Sequence, residues 1–132
     1  MNINAKWFLV LGAINAAIAV ALGAAGTHAL KAQLASVDSA AWFALALQYH
    51  QYHALGLILV GLTASRFPAS RYFAWAGWLM FSGIIFFSGS LYLLSLAAIQ
   101  AAHVAIPFGG MAFISAWFLF SFGAIGLSSS GQ

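Results

Sequence analysis

The sequence is poor in charge: four basic residues and one acid among 132, where a soluble domain of this size would carry roughly thirty charged side chains. Such a chain cannot keep its surface hydrated, so an ordinary water-soluble fold is excluded. The one acid, Asp38, lies in a serine-containing stretch outside every apolar run, which leaves no intramembrane carboxylate of the kind used by proton- and cation-coupled carriers. Cysteine is absent, and with it go disulfides, thiolate ligands and iron–sulfur clusters. The basic excess is only three groups, with no basic run, so nucleic acid is not an expected partner. Catalytic signatures are missing too. Phe87-Ser88-Gly89-Ser90 is not a Gly-x-Ser-x-Gly elbow, and neither His-Glu-x-x-His nor Glu-x-x-His occurs. No catalytic residue, cofactor or enzymatic activity is expected.

What the chain has is apolar length. Apolar residues make up 64% of it and mean hydropathy is +1.01, so its solvent is lipid. At about 20 residues per crossing, four crossings take about 80 residues and leave room for short loops only. The predicted fold is all-α, a polytopic transmembrane four-helix bundle forming a single domain over 1–132. Its spans are expected over 7–27, 44–65, 72–97 and 107–127, with an outer loop over 28–41 and an inner loop over 66–71. The first run follows a single Lys6 and is too long for a typical secretory signal, so it reads as an uncleaved helix. Asp38 or Ser39 is placed to cap a second helix from Ala40 to Ser65. At about 39 Å that helix exceeds a hydrocarbon core of about 30 Å, so a turn or two, around Trp42-Phe43, should project into an interface or the helix should tilt. Pro68 between Arg66 and Arg71 marks a loop, and Pro107 suits the first turn of the last helix. A polar tail from Ser128 to Gln132 is expected to fray. Four crossings collect Lys6, Arg66 and Arg71 on one side against Lys31 and Asp38 on the other, which puts both termini in the cytoplasm.

Between lipid-exposed helices the apolar driving force vanishes, so association depends on close backbone approach and a few polar contacts. Asn15, Ala19, Gly23 and Thr27 recur every four residues, and Asn15 is expected to bond across helices; a homodimer face or a ligand contact is the alternative. Gly89, Pro107, Gly109 and Gly110 are likewise assigned to packing. Trp42, Trp75 and Trp78 near span ends fit interfacial anchors.

Gln48-Tyr49-His50-Gln51-Tyr52-His53 interrupts an otherwise apolar helix. At 100° per residue six positions wrap the whole circumference, so some must meet headgroups or a partner protein. Counting back from Ser65 puts the stretch in the outer third of the membrane, level with Ser88, Ser90 and Tyr92 of the third span and with His28 and His103. The expectation is a small polar cavity near the outer interface, with His28, Tyr49, His53, Ser88, Ser90 and Tyr92 as ligand-binding residues and His103 at its margin. Interhelical or headgroup hydrogen bonds are the expected use of the histidines. The alternatives are a metal or haem site built from His28, His50, His53 and His103, and a proton-relay or quinone-type role.

Four ordered segments carry a family resemblance. Leu22-Gly23-Ala24-Ala25-Gly26-Thr27-His28-Ala29-Leu30 resembles LGAFGAHAL, with Thr27 for alanine. Tyr49-His50-Gln51-Tyr52-His53 resembles a Tyr-Gln-x-x-His motif, with His50 where glutamine is usual. Phe87-Ser88-Gly89-Ser90-Leu91-Tyr92 matches FSGSLY, and Ile106-Pro107-Phe108-Gly109-Gly110 is similar to T-P-x-G-G, with Ile106 for threonine. These are the motifs of domain-of-unknown-function family 423, small bacterial membrane proteins of the YgdD/YwdK type. The resemblance implies a four-helix inner-membrane protein and brings no activity or catalytic residue. Its motif positions, His28, Tyr49, His53, Ser88, Gly89, Ser90, Tyr92, Pro107, Gly109 and Gly110, coincide with the polar layer. The reading is a non-catalytic membrane protein, either an accessory or assembly subunit of a membrane complex or homo-oligomer, or a bundle that binds lipid or a small molecule. A His-based redox protein is the runner-up. Solute permeation ranks last, because the inner halves of the helices are apolar.

Overall fold

The computed structural model describes residues 3–128, and all its regular structure is helical. Helix α1 runs over Ile3–Thr27 and α2 over Val37–Arg66. A third rod follows, made of α3 (Arg71–Gly83), a π-helical turn (Ile84–Gly89) and α4 (Ser90–Ala97). A 3-10 turn (Gln100–Val104) then leads into α5 (Ile106–Ser128). By length and composition three of the four long segments are able to cross a membrane; α2 falls short, because its six consecutive polar residues dilute an otherwise apolar helix. Large apolar side chains cover the outside, among them Val20, Leu55, Phe108, Phe118 and Ile125, as expected where lipid replaces water.

Helix ends follow the local chemistry. Ser36 caps α2 by accepting the Ser39 amide at 3.1 Å, and Asp38 occupies the first turn, where a carboxylate opposes the helix dipole. The helix therefore begins earlier than the Ala40 expected from Asp38 or Ser39 as cap, and the outer loop shortens to 28–36. In its opening turns Phe43 is buried against Gly26 and the Tyr92 ring. Pro107 sits in the first turn of α5 as predicted. The tail expectation from Ser129 to Gln132 falls outside the described residues. The π turn was not anticipated. The rod containing it ends on Ala98 in the left-handed region (φ 53°), with the Ile99 amide reaching back to the Leu93 carbonyl.

The helices run up, down, up and down. α1 and α2 are antiparallel neighbours along their length, with Leu9 against Gly61, Gly12 against Ile58 and Gly23 against Leu47. Ala5, Phe8, Gly12 and Ala19 are buried on this face, and with Asn15 they follow a 3-4-3-4 spacing, the periodicity of shallow left-handed crossings. A Cβ on Gly12 would come within 2.9 Å of the Ile58 nitrogen. That position, rather than Thr27, completes the stripe; Thr27 is exposed and bonds its own helix at the Ala24 carbonyl. Helix α5 packs on the third rod, with Gly109 against the backbone at Phe87, Gly83 beneath Phe113 and Gly123 against Phe73. The residues assigned to packing thus divide. Gly109 is essential to close approach, Gly23 and Gly110 make ordinary contacts, and Gly89 has only the Ile84 carbonyl within reach.

A Cβ at Gly109 would collide with the Phe87 nitrogen and lie 2.8 Å from the Phe86 carbonyl carbon, whereas one at Gly110 would rest 3.7 Å from the Phe87 ring. Gly109→Ala is expected to destabilise the bundle by about 1–3 kcal/mol, and Gly110→Ala by less than about 0.5 kcal/mol. Thermal unfolding in detergent, followed by circular dichroism, separates them; equal melting temperatures would contradict the packing.

Candidate functional site

The polar residues gather around α2 in two sets that share no partner. On the side facing α1 and α4, the Asn15 amide donates to the Leu11 carbonyl at 2.8 Å. That bond fixes the amide orientation, so Asn15 Oδ1 must accept from His50 Nε2 at 3.0 Å. With the proton on Nε2, His50 Nδ1 is an acceptor, and it takes the Tyr92 hydroxyl proton at 3.2 Å. Three helices are joined by one directional chain, Tyr92 to His50 to Asn15 to Leu11.

On the side facing α5, His53 Nδ1 donates to the Tyr49 carbonyl at 2.8 Å. Its Nε2 is therefore unprotonated and accepts the Trp117 indole N–H at 3.2 Å. The His53 ring stacks on Phe113 with centroids 3.4 Å apart and planes 14° from parallel. Tyr49 lies over Phe87, 4.8 Å between centroids. The backbones of α2 and α5 stay apart here, and aromatic side chains span the gap incompletely. A cleft of about 300 Å³ results, lined by Tyr49, His53, Phe87, Gly110, Phe113, Ile114 and Trp117.

The expected cavity is thus realised only in part. Tyr49 and His53 line the cleft, while Tyr92 is turned to His50. Ser88 is fully buried in the π turn, its hydroxyl without a hydrogen-bond partner among the described residues. Ser90 is buried as well. His28 is exposed just past the end of α1 and does not join the others. His103 is also exposed and meets Trp42 edge-on at 5.6 Å. The four histidines do not assemble a metal site: among the described residues no three potential ligands come together, and both nitrogens of His50 and of His53 are already bonded.

Asn15 stands halfway along α1 (Ile3–Thr27) and Trp117 halfway along α5 (Ile106–Ser128), while His50 and His53 flank the middle of α2 (Val37–Arg66) and Tyr92 lies near the end of the third rod. These polar residues separate an apolar cluster around Phe8, Leu57, Phe73 and Met80 from a smaller one around Ala46, Leu91 and Leu94.

The family model described as "Protein of unknown function (DUF423)" matches residues 22–110. This chain belongs to the DUF423 family. It is 44% identical over 120 residues to the UPF0382 membrane protein YwdK of Bacillus subtilis, covering 91% of this chain and 97% of that relative. The UPF0382 membrane protein SERP0230 of Staphylococcus epidermidis is 44% identical over 112 residues, 85% of this chain and 89% of its own. The UPF0382 inner membrane protein YgdD of Escherichia coli K12 is 33% identical over 128 residues, 97% and 96% of the two chains. No solved structure matches. As a DUF423 member the chain is a small membrane protein of unknown function.

The Tyr-Gln-x-x-His pattern has glutamine where this chain has His50. A glutamine amide can donate to Asn15 Oδ1 while its carbonyl accepts from Tyr92, the same polarity as the imidazole. His50→Gln is therefore expected to leave stability within about 0.5 kcal/mol, whereas His50→Leu strands two buried partners at a cost of about 1–3 kcal/mol. Thermal unfolding in detergent reads both, and a leucine variant as stable as the glutamine one would remove the network from the account.

Proposed function

We propose that this DUF423 protein is a non-catalytic bundle that crosses the bacterial inner membrane four times, with both termini in the cytoplasm, and holds a lipid acyl chain in the cleft between α2 and α5. The observation that carries the reading is the chemistry of that cleft. Its imidazole and indole nitrogens satisfy one another, since Trp117 donates to His53 and His53 to the Tyr49 carbonyl, and Tyr49 adds a single phenol hydroxyl to the lining. The cleft offers a visitor ring faces and the flat patch at Gly110, a lining suited to a hydrocarbon chain with no hydrogen bonds to make. The surrounding bilayer supplies such chains at high local concentration. Nothing in the arrangement activates a nucleophile or poises a general base, because the interior imidazoles are neutral and committed at both nitrogens.

Four crossings are supported by the in-register pairing of α2 with α1 from Phe43 to Gly61. A helix alongside a spanning neighbour over that length shares its path, and its polar residues are sheltered by the bundle instead of excluding it from lipid. The pairing brings Lys6, Arg66 and Arg71 to one end of the molecule and leaves Lys31 and Asp38 at the other.

A photoreactive phosphatidylethanolamine carrying a diazirine on its acyl chain should label peptides containing Phe113 or Trp117 in reconstituted protein. Gly110→Leu, which fills the cleft, should abolish that labelling while unfolding at a similar temperature; labelling spread evenly over the outer faces, or unchanged by the substitution, would refute the site. For topology, alkaline phosphatase fused after Gln132 should be inactive and a green fluorescent protein fused there should be bright. The opposite pattern would reverse the orientation.

A further inference from the structure

The charges of this chain are divided between its two ends. Lys6, Arg66 and Arg71 lie at one, while Lys31 and the sole acid, Asp38, lie at the other. Three cations therefore share an end with no side-chain carboxylate to neutralise them.

Arg71 also borders a hollow of about 400 Å³ between the start of α3 and the last turns of α5. The polar side chains of its lining are Ser70, Arg71 and Tyr72, each able to donate hydrogen bonds. None of the three makes a side-chain hydrogen bond or an ion pair with any described residue. Across from them α5 contributes Gly123, Gly126 and Leu127. The two glycines have different reasons to be there. A Cβ on Gly123 would press on the Phe73 ring at 2.8 Å, so that glycine serves helix packing, whereas a Cβ on Gly126 would meet nothing within 4 Å. The hollow is open because position 126 has no side chain.

Two segments able to cross a membrane end together at this hollow: Arg71–Ala97 begins there and Gln100–Leu127 finishes there. An arginine that opens an apolar span marks the headgroup layer, since its guanidinium is costly in hydrocarbon. That layer supplies phosphodiester anions joined to acyl chains. A phosphodiester carries only acceptors, which suits the three donors, and the methylenes beyond it suit the apolar α5 wall. Net charge narrows the class. A zwitterionic headgroup would bring an ammonium to an end that already holds Lys6, Arg66 and Arg71, where no side-chain carboxylate receives it; an anionic headgroup brings none.

We propose that this hollow binds an anionic phospholipid, with Arg71, Ser70 and Tyr72 holding its phosphodiester. It shares no lining residue with the acyl-chain cleft, so either proposal can fail alone.

Native mass spectrometry of the full-length protein in mild detergent, titrated with single lipids, tests the site. Dioleoylphosphatidylglycerol should bind about tenfold more tightly than dioleoylphosphatidylcholine, and Arg71→Gln should remove about that factor. Gly126→Leu, which fills the hollow without meeting another side chain, should weaken phosphatidylglycerol to a similar extent. Lys6→Gln takes one charge from the same end without touching the lining and should change the affinity less than about twofold. Both hollow variants should melt with the natural chain by circular dichroism, and where one melts early the other carries the test. Equal binding of the two lipids, an Arg71→Gln protein that keeps its affinity, a Lys6→Gln loss as large as that of Arg71→Gln, or displacement of the lipid by inorganic phosphate would each overturn the proposal.

Discussion

In hydrocarbon, a hydrogen-bonding group without a protein partner has no partner at all. The arrangement of this bundle follows from meeting that constraint between its helices. Asn15, His50 and Tyr92 satisfy one another in sequence, as do Tyr49, His53 and Trp117. The bonds run between α1, α2, the third rod and α5, so they fix which helix lies beside which and at what height. Apolar packing alone specifies this less well, because leucine gains little by exchanging lipid for another leucine.

The direction of each bond carries as much information as its length. Because an amide nitrogen only donates and a carbonyl oxygen only accepts, Leu11 sets Asn15, Asn15 sets His50, and His50 sets Tyr92. The chain's one acid, Asp38, is exposed in the first turn of α2, so neither interior imidazole has a carboxylate beside it. These are the features of a structural core. The space that remains is apolar, on the α5 side. The six consecutive polar residues of α2 thus face different surroundings: His50 the network with Asn15 and Tyr92, Tyr49 and His53 the aromatic cleft, and Gln48, Gln51 and Tyr52 the exposed side.

Much of this was legible in the residues. Low charge and apolar length gave the fold class, Pro68 and Pro107 marked real boundaries, and Asn15 was correctly expected to bond across helices. The polar run was recognised, but periodicity tells which residues share a face, not which helix that face meets. His50 gained its central position only once α1 lay antiparallel to α2. The start of α2 at Val37 was less legible, because the cap is Ser36 and not the Asp38 or Ser39 that precede the apolar run. Trp117 was overlooked among the anchoring tryptophans. Its place in the middle of an apolar helix was the available signal, since a tryptophan far from the interface needs a partner for its indole N–H. Gly12 and Gly83 were invisible for a simpler reason: their role lies in the side chains of other helices.

The π turn over Ile84–Gly89 has a consequence for how this chain tolerates change. It widens the spiral locally and sets the angular phase of everything after it. Removing one residue there would rewind the rod to ordinary α geometry and leave Tyr92 close to its present azimuth, whereas the same loss in an unbroken α-helix turns everything downstream by about 100°. A deletion that elsewhere in the rod would carry the hydroxyl away from the imidazole is absorbed within this turn. The surplus residue is thus slack in the third rod, and this segment is where shortening by one residue is best tolerated.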